Sequence, residues 1–202
     1  MTDAIDRICA AIADDGVAVE PDFLPRATIA ALADEARALD AAGEFHGAGI
    51  GRGAARLQRS DMRGDRILWL DESFAAPIQQ PLWQALNTLR AALNERLLLG
   101  LFSLEIHYAL YPPGAFYRRH LDQLRGRAFS SGDRVISCAI YLNEDWTPAE
   151  GGLLRIYDRE VAHDVLPVAG TLVCFLSDRF EHEVLPATRE RLSLTGWFRR
   201  RP

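Results

Sequence analysis

Cysteine is scarce in this chain. Its 202 residues hold three, Cys9, Cys138 and Cys174, with no Cys-x-x-Cys spacing. That argues against a disulfide framework and against zinc held by thiolates. Cys138 and Cys174 sit in apolar runs and read as small buried hydrophobes. Long apolar stretches are missing too, since none approaches the roughly 20 residues of a membrane span. The opening residues, Met1-Thr2-Asp3-Ala4-Ile5-Asp6, lack the positive segment and apolar core of a signal peptide. A cytoplasmic protein with no membrane partner is expected. Positive charge is in deficit, with 23 Lys and Arg against 28 Asp and Glu and a net charge of -5. That balance argues against nucleic acid as a partner, and Arg199-Arg200-Arg201 reads as a solvated tail. No internal repeat or low-complexity segment stands out. The length suits one domain spanning 1–202, expected as a monomer.

What is present divides near residue 100. Ile5, Ile8, Cys9 and Ile12 recur at helical spacing over 3–13, and Asp15-Gly16 closes that helix. Val17-Ala18-Val19 reads as a short strand. A second helix is expected over 25–41, entered at Pro25, with Ile29, Leu32, Ala33 and Ala36 as its apolar stripe. Residues 42–64 carry six glycines and the arginines Arg52, Arg56, Arg59 and Arg63, and predict a mobile surface loop. Arg66 to Leu70 reads as a strand, and 81–99 as a third helix with Leu82, Leu86, Leu89, Leu93 and Leu97 on one side. From residue 101 the period falls from 3.6 to 2. Strands are predicted over 102–110, 115–121, 134–142, 152–156, 163–166, 171–175, 182–184 and 192–198, separated by turns such as Pro112-Pro113-Gly114. Helices over 1–100 followed by strands over 101–202 predict an α+β fold. Its β part is expected to be a jelly roll, a cupin-like barrel braced by the N-terminal helices.

One stretch organises the strand-rich half: Phe116-Tyr117-Arg118-Arg119-His120-Leu121-Asp122. On an extended strand, His120 and Asp122 project from the same face and Leu121 from the other. A second imidazole, His182, follows sixty-two residues later behind the turn Asp178-Arg179-Phe180-Glu181. Two histidines and a carboxylate would form a facial triad that leaves coordination positions open, which suits a non-haem Fe(II) oxygenase. Nine residues on, Arg191 opens a strand on which Ser193, Thr195 and Trp197 share its face, while Leu192, Leu194 and Phe198 take the other. An arginine pointing into a barrel needs a carboxylate, and a bound dicarboxylic acid would supply one, gripped bidentately. The other histidines read as structural or exposed: His107 within a strand, His46 and His163 on the surface. Tyr111, Tyr117 and Tyr141 fit a core in which each hydroxyl needs a partner.

Taken together, these residues resemble the Fe(II)- and 2-oxoglutarate-dependent dioxygenases, and among them the prolyl 4-hydroxylases of the hypoxia-inducible-factor type and their bacterial relatives. The likeness lies in Tyr117 to Asp122, Gly132-Asp133-Arg134, Tyr141 to Trp146, Gly151 to Ile156, Phe175 to Arg179, His182-Glu183-Val184 and Arg191 to Trp197. Upstream, it includes Arg63-Gly64-Asp65-Arg66-Ile67-Leu68-Trp69. The resemblance implies a double-stranded β-helix in which His120, Asp122 and His182 bind Fe(II) as the catalytic centre. It implies that Arg191 pairs with the C5 carboxylate of 2-oxoglutarate and that Tyr141 donates a hydrogen bond to it. Tyr111 would lie near the metal-chelating end of the cosubstrate, Leu154 would pack against it, and Thr195 and Trp197 would line the pocket. Arg63, Asp65 and Arg134 would belong to the substrate rim. The implied cofactors are Fe(II), 2-oxoglutarate and O2, with ascorbate as a further candidate. The implied activity is hydroxylation of a prolyl residue in a protein, with release of succinate and CO2. Bacterial relatives resembling this chain act on elongation factor Tu, which makes that protein the first substrate expected. The segment 123–130 and the 43–63 loop depart from the animal enzymes. Two alternatives stay open: a dioxygenase acting on another side chain or small molecule, and a cupin-like sensor that holds metal and 2-oxoglutarate without turnover.

Overall fold

A computed structural model describes residues 2–49, 61–123, 132–159 and 161–201. Helix α1 (Thr2–Asp14) buries Ile5, Ile8, Cys9 and Ile12, the stripe its spacing predicts. It stops at Gly16, whose φ of 78° lets its amide reach back to the Ala11 and Ile12 carbonyls. Helix α2 (Arg26–Ala41) begins after Pro25 and buries Ile29, Leu32, Ala33 and Ala36. Helix α3 (Gln80–Leu97) carries Pro81 in its first turn and ends where Leu98 turns left-handed, at φ 53°. Leu97 closes its apolar side only half-buried.

The strands form two antiparallel sheets. The larger contains β1 (Val17–Glu20), β2 (His46–Gly47), β3 (Arg66–Leu70), β4 (Leu101–Tyr111), β6 (Arg134–Tyr141), β9 (Leu172–Leu176) and β11 (Arg191–Arg200). Their order is β1-β9-β6-β11-β4-β3-β2. The smaller contains β5 (Tyr117–His120), β7 (Leu154–Asp158), β8 (Val161–Val165) and β10 (Glu181–Val184), ordered β5-β10-β7-β8. Side-chain alternation in the larger sheet builds two separate cores. Ile136, Cys138, Ile140, Cys174, Leu192, Leu194 and Phe198 face the helices and pack with their apolar stripes. Ala109, Tyr111, Ala139, Tyr141, Val173 and Phe175 face the smaller sheet and meet its Leu154, Ile156 and Val184. The helices thus cover one face of the larger sheet, and the second sheet covers the other.

Several boundaries differ from the sequence expectation. Strand β2 is only two residues long, too short to carry a period. It lies inside the predicted 42–64 loop, of which 50–60 falls outside the described residues, as do 124–131. Strand β5 is four residues rather than seven, so Leu121 and Asp122 lie beyond its end. All three cysteines are free and buried. His46 and His163 are exposed, as expected.

Candidate active site

Antiparallel pairing of β5 with β10 sets His120 opposite His182, with ring centroids 4.3 Å apart. Asp122 reaches the same point from the bend after β5 rather than from the strand itself. Its Oδ1 lies 3.6 Å from His120 Nε2, and its Oδ2 lies 3.4 Å from His182 Nε2. One potential ligand atom from each of the three lies within 4.8 Å of the others. Each imidazole is turned by its Nδ1, which sits 2.8 Å from the Arg118 carbonyl in His120 and 3.2 Å from the Phe180 carbonyl in His182. Those contacts leave Nε2 of both rings for a metal.

Electrostatics favour the ligating forms. Burial alone would raise the Asp122 pKa, but the His182 and His120 imidazoles and a hydrogen bond from Ser137 outweigh it and hold the carboxyl well below its usual range. That bond, Ser137 Oγ to Asp122 Oδ2, is 2.6 Å long. Ser137 Oγ also lies 2.9 Å from the buried Ser177 Oγ. Burial pushes His182 down to about 4 against the pull of Asp122, so its imidazole is neutral at pH 7. A carboxylate and a neutral imidazole are the donor forms that a divalent cation takes, and the three residues fit Fe(II).

From the triad a cavity runs between the sheets to Arg191. Arg191 is 2% exposed. Its Nε donates to the Gly152 carbonyl at 2.8 Å, and its guanidinium carbon lies 5.2 and 5.1 Å from the Tyr111 and Tyr141 rings. Gly152 has φ 68°, and a β-carbon there would press on Trp146, Ala187 and the Arg191 side chain. Tyr141 is fully buried, its hydroxyl makes no hydrogen bond of good geometry among the described residues, and burial raises its pKa to about 12 against the pull of Arg191. A buried cation with no carboxylate partner among the described residues, beside a buried phenol, fits one end of an organic diacid.

The chain's likeness to known proteins agrees with this geometry. Residues 106–199 match the model of the 2OG-Fe(II) oxygenase superfamily. A solved Pseudomonas putida prolyl-4-hydroxylase is 47% identical, with a TM-score of 0.84 over 98% of this chain and 100% of that one. This chain belongs to the prolyl hydroxylase family. A Trichoplax adhaerens prolyl hydroxylase, solved in complex with a hypoxia inducible factor peptide fragment, is 25% identical. It superposes with a TM-score of 0.84 over 96% of this chain and 88% of its own. Rat Egl nine homolog 1 is 31% identical over 96% of this chain, which spans 58% of the rat protein. The chain spans about half the length of the curated relatives of that kind, 46% in the human case.

Other residues singled out by the resemblance to the prolyl hydroxylases take several positions. Tyr111, Leu154, Thr195 and Trp197 line the cavity, as does Arg63. Asp65 does not line it: its fully buried carboxylate forks the Arg63 guanidinium at 2.7 and 2.5 Å. Arg134 lies outside the lining, over the Trp197 ring at 3.5 Å and paired with Glu105 at 2.9 Å. His107, read from sequence as structural, lines the cavity between Trp69 and Trp197, whose rings lie 4.6 and 5.6 Å from its own. Ser137 was missed altogether. The period-2 alternation of β6 holds its only signal, two residues before Ala139 and four before Tyr141 on one face. Among the described residues no helix is long and apolar enough to cross a membrane.

Proposed function

We propose that this protein is a prolyl 4-hydroxylase that uses Fe(II), 2-oxoglutarate and O2 to oxidise a proline in a protein substrate. The observation that carries the reading is one cavity with a His-Asp-His cluster at one end and a buried arginine, unpaired with any carboxylate among the described residues, at the other. His120, Asp122 and His182 would hold the iron. Arg191 would take the distal carboxylate of 2-oxoglutarate, with Tyr141 as second donor. Iron with 2-oxoglutarate and O2 supplies the oxidising power, which no side chain can. The protein orients the diacid along the cavity and excludes water with Leu154, Phe175 and Val184, all buried. Trp69, 40% exposed and against the cavity-lining His107, would stand where a prolyl side chain enters.

Elongation factor Tu is the first candidate substrate, from the sequence resemblance to bacterial prolyl hydroxylases. Purified protein incubated with Fe(II), 2-oxoglutarate, ascorbate and elongation factor Tu is expected to release succinate and add one oxygen to a proline, read by peptide mass spectrometry. Oxygen found only on other residues would move the assignment to a different side-chain dioxygenase. No succinate with any protein, despite bound metal and diacid, would make the chain a sensor.

A further inference from the structure

Residues 61–65 cross from one sheet to the other beside the cavity. The Arg118 amide donates to the Met62 carbonyl at 2.8 Å and the Gly64 amide to the Phe116 carbonyl at 3.0 Å, so this strap extends the smaller sheet beyond its edge strand β5. At Arg66 the same chain enters β3 of the larger sheet. The strap turns Arg63 inward, leaving its side chain 10% exposed, and Asp65 cancels its charge. Burying such a pair contributes little net stability, because both ions lose their water. Geometry gives it another use. The Arg63 guanidinium carbon lies 4.2 Å from the centre of the Tyr117 ring. The His120 imidazole stacks on that ring with centroids 3.7 Å apart and planes 18° from parallel. An imidazole at that distance fills one face of the phenol and leaves the guanidinium the other.

We propose that Arg63 is a positioning residue for the metal ligand His120, acting through the Tyr117 ring. The inference rests on the reading of His120, Asp122 and His182 as the metal site. His120 is turned about its own axis by the contact of Nδ1 with the Arg118 carbonyl. Nothing in that contact fixes the tilt of the ring plane. The stack does, with the guanidinium clamping the phenol from behind through a cation–π contact and Asp65 holding the guanidinium. A ligand lone pair has to be aimed within roughly 10–20° for tight binding, and outer groups that aim it typically change metal affinity about 10- to 100-fold. Tyr117 serves through its ring rather than its hydroxyl.

Co(II) binding to the whole protein, without peptide or 2-oxoglutarate, tests this through the visible d–d bands and a dissociation constant. Arg63→Met and Tyr117→Leu are each expected to weaken Co(II) about ten-fold or more and to shift the bands, and their combination to be no worse than Tyr117→Leu alone. Tyr117→Phe is expected to keep wild-type affinity, and Arg63→Lys to recover part of the loss. If Arg63→Met fails to fold with Asp65 left unpaired, the charge-neutral pair Arg63→Met with Asp65→Asn is expected to weaken Co(II) equally. Strictly additive losses, or an Arg63 variant that binds Co(II) like wild type and alters only peptide KM, would overturn the positioning role while leaving the metal site intact. Failure of the wild-type protein to bind Co(II) at the triad would instead remove the metal-site reading itself, and this inference with it.

Discussion

The two ends of the cavity are prepared for their ligands in different ways. At the metal end, three donors already answer one another: Asp122 lies within 3.6 Å of both imidazoles and accepts from Ser137. At the other end, Arg191 is a buried cation that has no carboxylate partner among the described residues; its hydrogen bond goes to a neutral carbonyl, and it lies beside the buried Tyr141 phenol. The first end holds its carboxylate with a hydrogen bond from Ser137 and two imidazoles beside it. The second carries an electrostatic demand that only an anion from outside relieves. Damage to the metal end should therefore abolish the reaction, whereas damage to the diacid end should act mainly on cosubstrate affinity.

The largest effect expected is from Asp122→Ala. It removes the only carboxylate of the cluster and leaves two imidazoles with no anion between them. Turnover of 2-oxoglutarate should drop to background, and dialysed protein should retain no stoichiometric iron by metal analysis. The melting temperature should hold, since the variant buries one charge fewer. Substantial residual turnover with bound iron would mean that the cluster is not the reaction centre, and the contrast between the ends would vanish.

Arg191→Met should come next. Losing one partner of a buried charge pair costs about 2–5 kcal/mol, or roughly 30-fold and more in affinity. The KM for 2-oxoglutarate should rise by that factor with a much smaller fall in kcat. The stabilisation that saturating 2-oxoglutarate gives the wild type in thermal melts should disappear with it. Arg191→Lys should fall between the two. An ammonium keeps the charge, but it cannot both hold the Gly152 carbonyl through Nε and present a fork to a carboxylate. If Arg191→Met left the KM unmoved, the diacid would have to bind elsewhere in the cavity.

The ends also differ in how far they could be read from sequence. The diacid end lies on β11, where strict alternation sorts Arg191, Ser193, Thr195 and Trp197 from Leu192, Leu194 and Phe198, and the structure keeps that sorting. A ten-residue central strand with one apolar face has its register fixed by burial, so its pattern is legible. At the other end strand periodicity puts His120 and Asp122 together, yet β5 ends at His120, and a bend delivers the carboxylate. What holds these residues was hidden. Ser137 is an ordinary serine in an apolar strand, and the Gly152 carbonyl carries no side-chain signature. The meeting of Arg63 with Tyr117 and His120 joins the 61–65 strap to a strand far along the chain. Such a contact is set by which segments come to lie side by side in a sheet, and no local period encodes it. Arg63 and Asp65 were expected at the substrate rim, but the bidentate contact between them is invisible until the backbone is drawn.

Ser137→Ala gives the finest test of the contrast, because it loosens the metal end without removing a ligand. The hydroxyl gives Asp122 a 2.6 Å hydrogen bond and takes part in a second contact with Ser177. Without it, the carboxylate keeps its charge but loses one of the groups that aim it, and Ser177 loses its neighbour. Outer-shell changes of this kind cost about 10-fold in metal affinity at the lower end of their range. Fe(II) should dissociate faster by about that factor, read by chelator competition, and turnover at saturating Fe(II) should fall by less. The KM for 2-oxoglutarate is set mainly at the far end by Arg191 and should move least of the three quantities. A Ser137→Ala variant that raised this KM as much as it weakened iron would show that the two ends are coupled through the diacid rather than prepared separately.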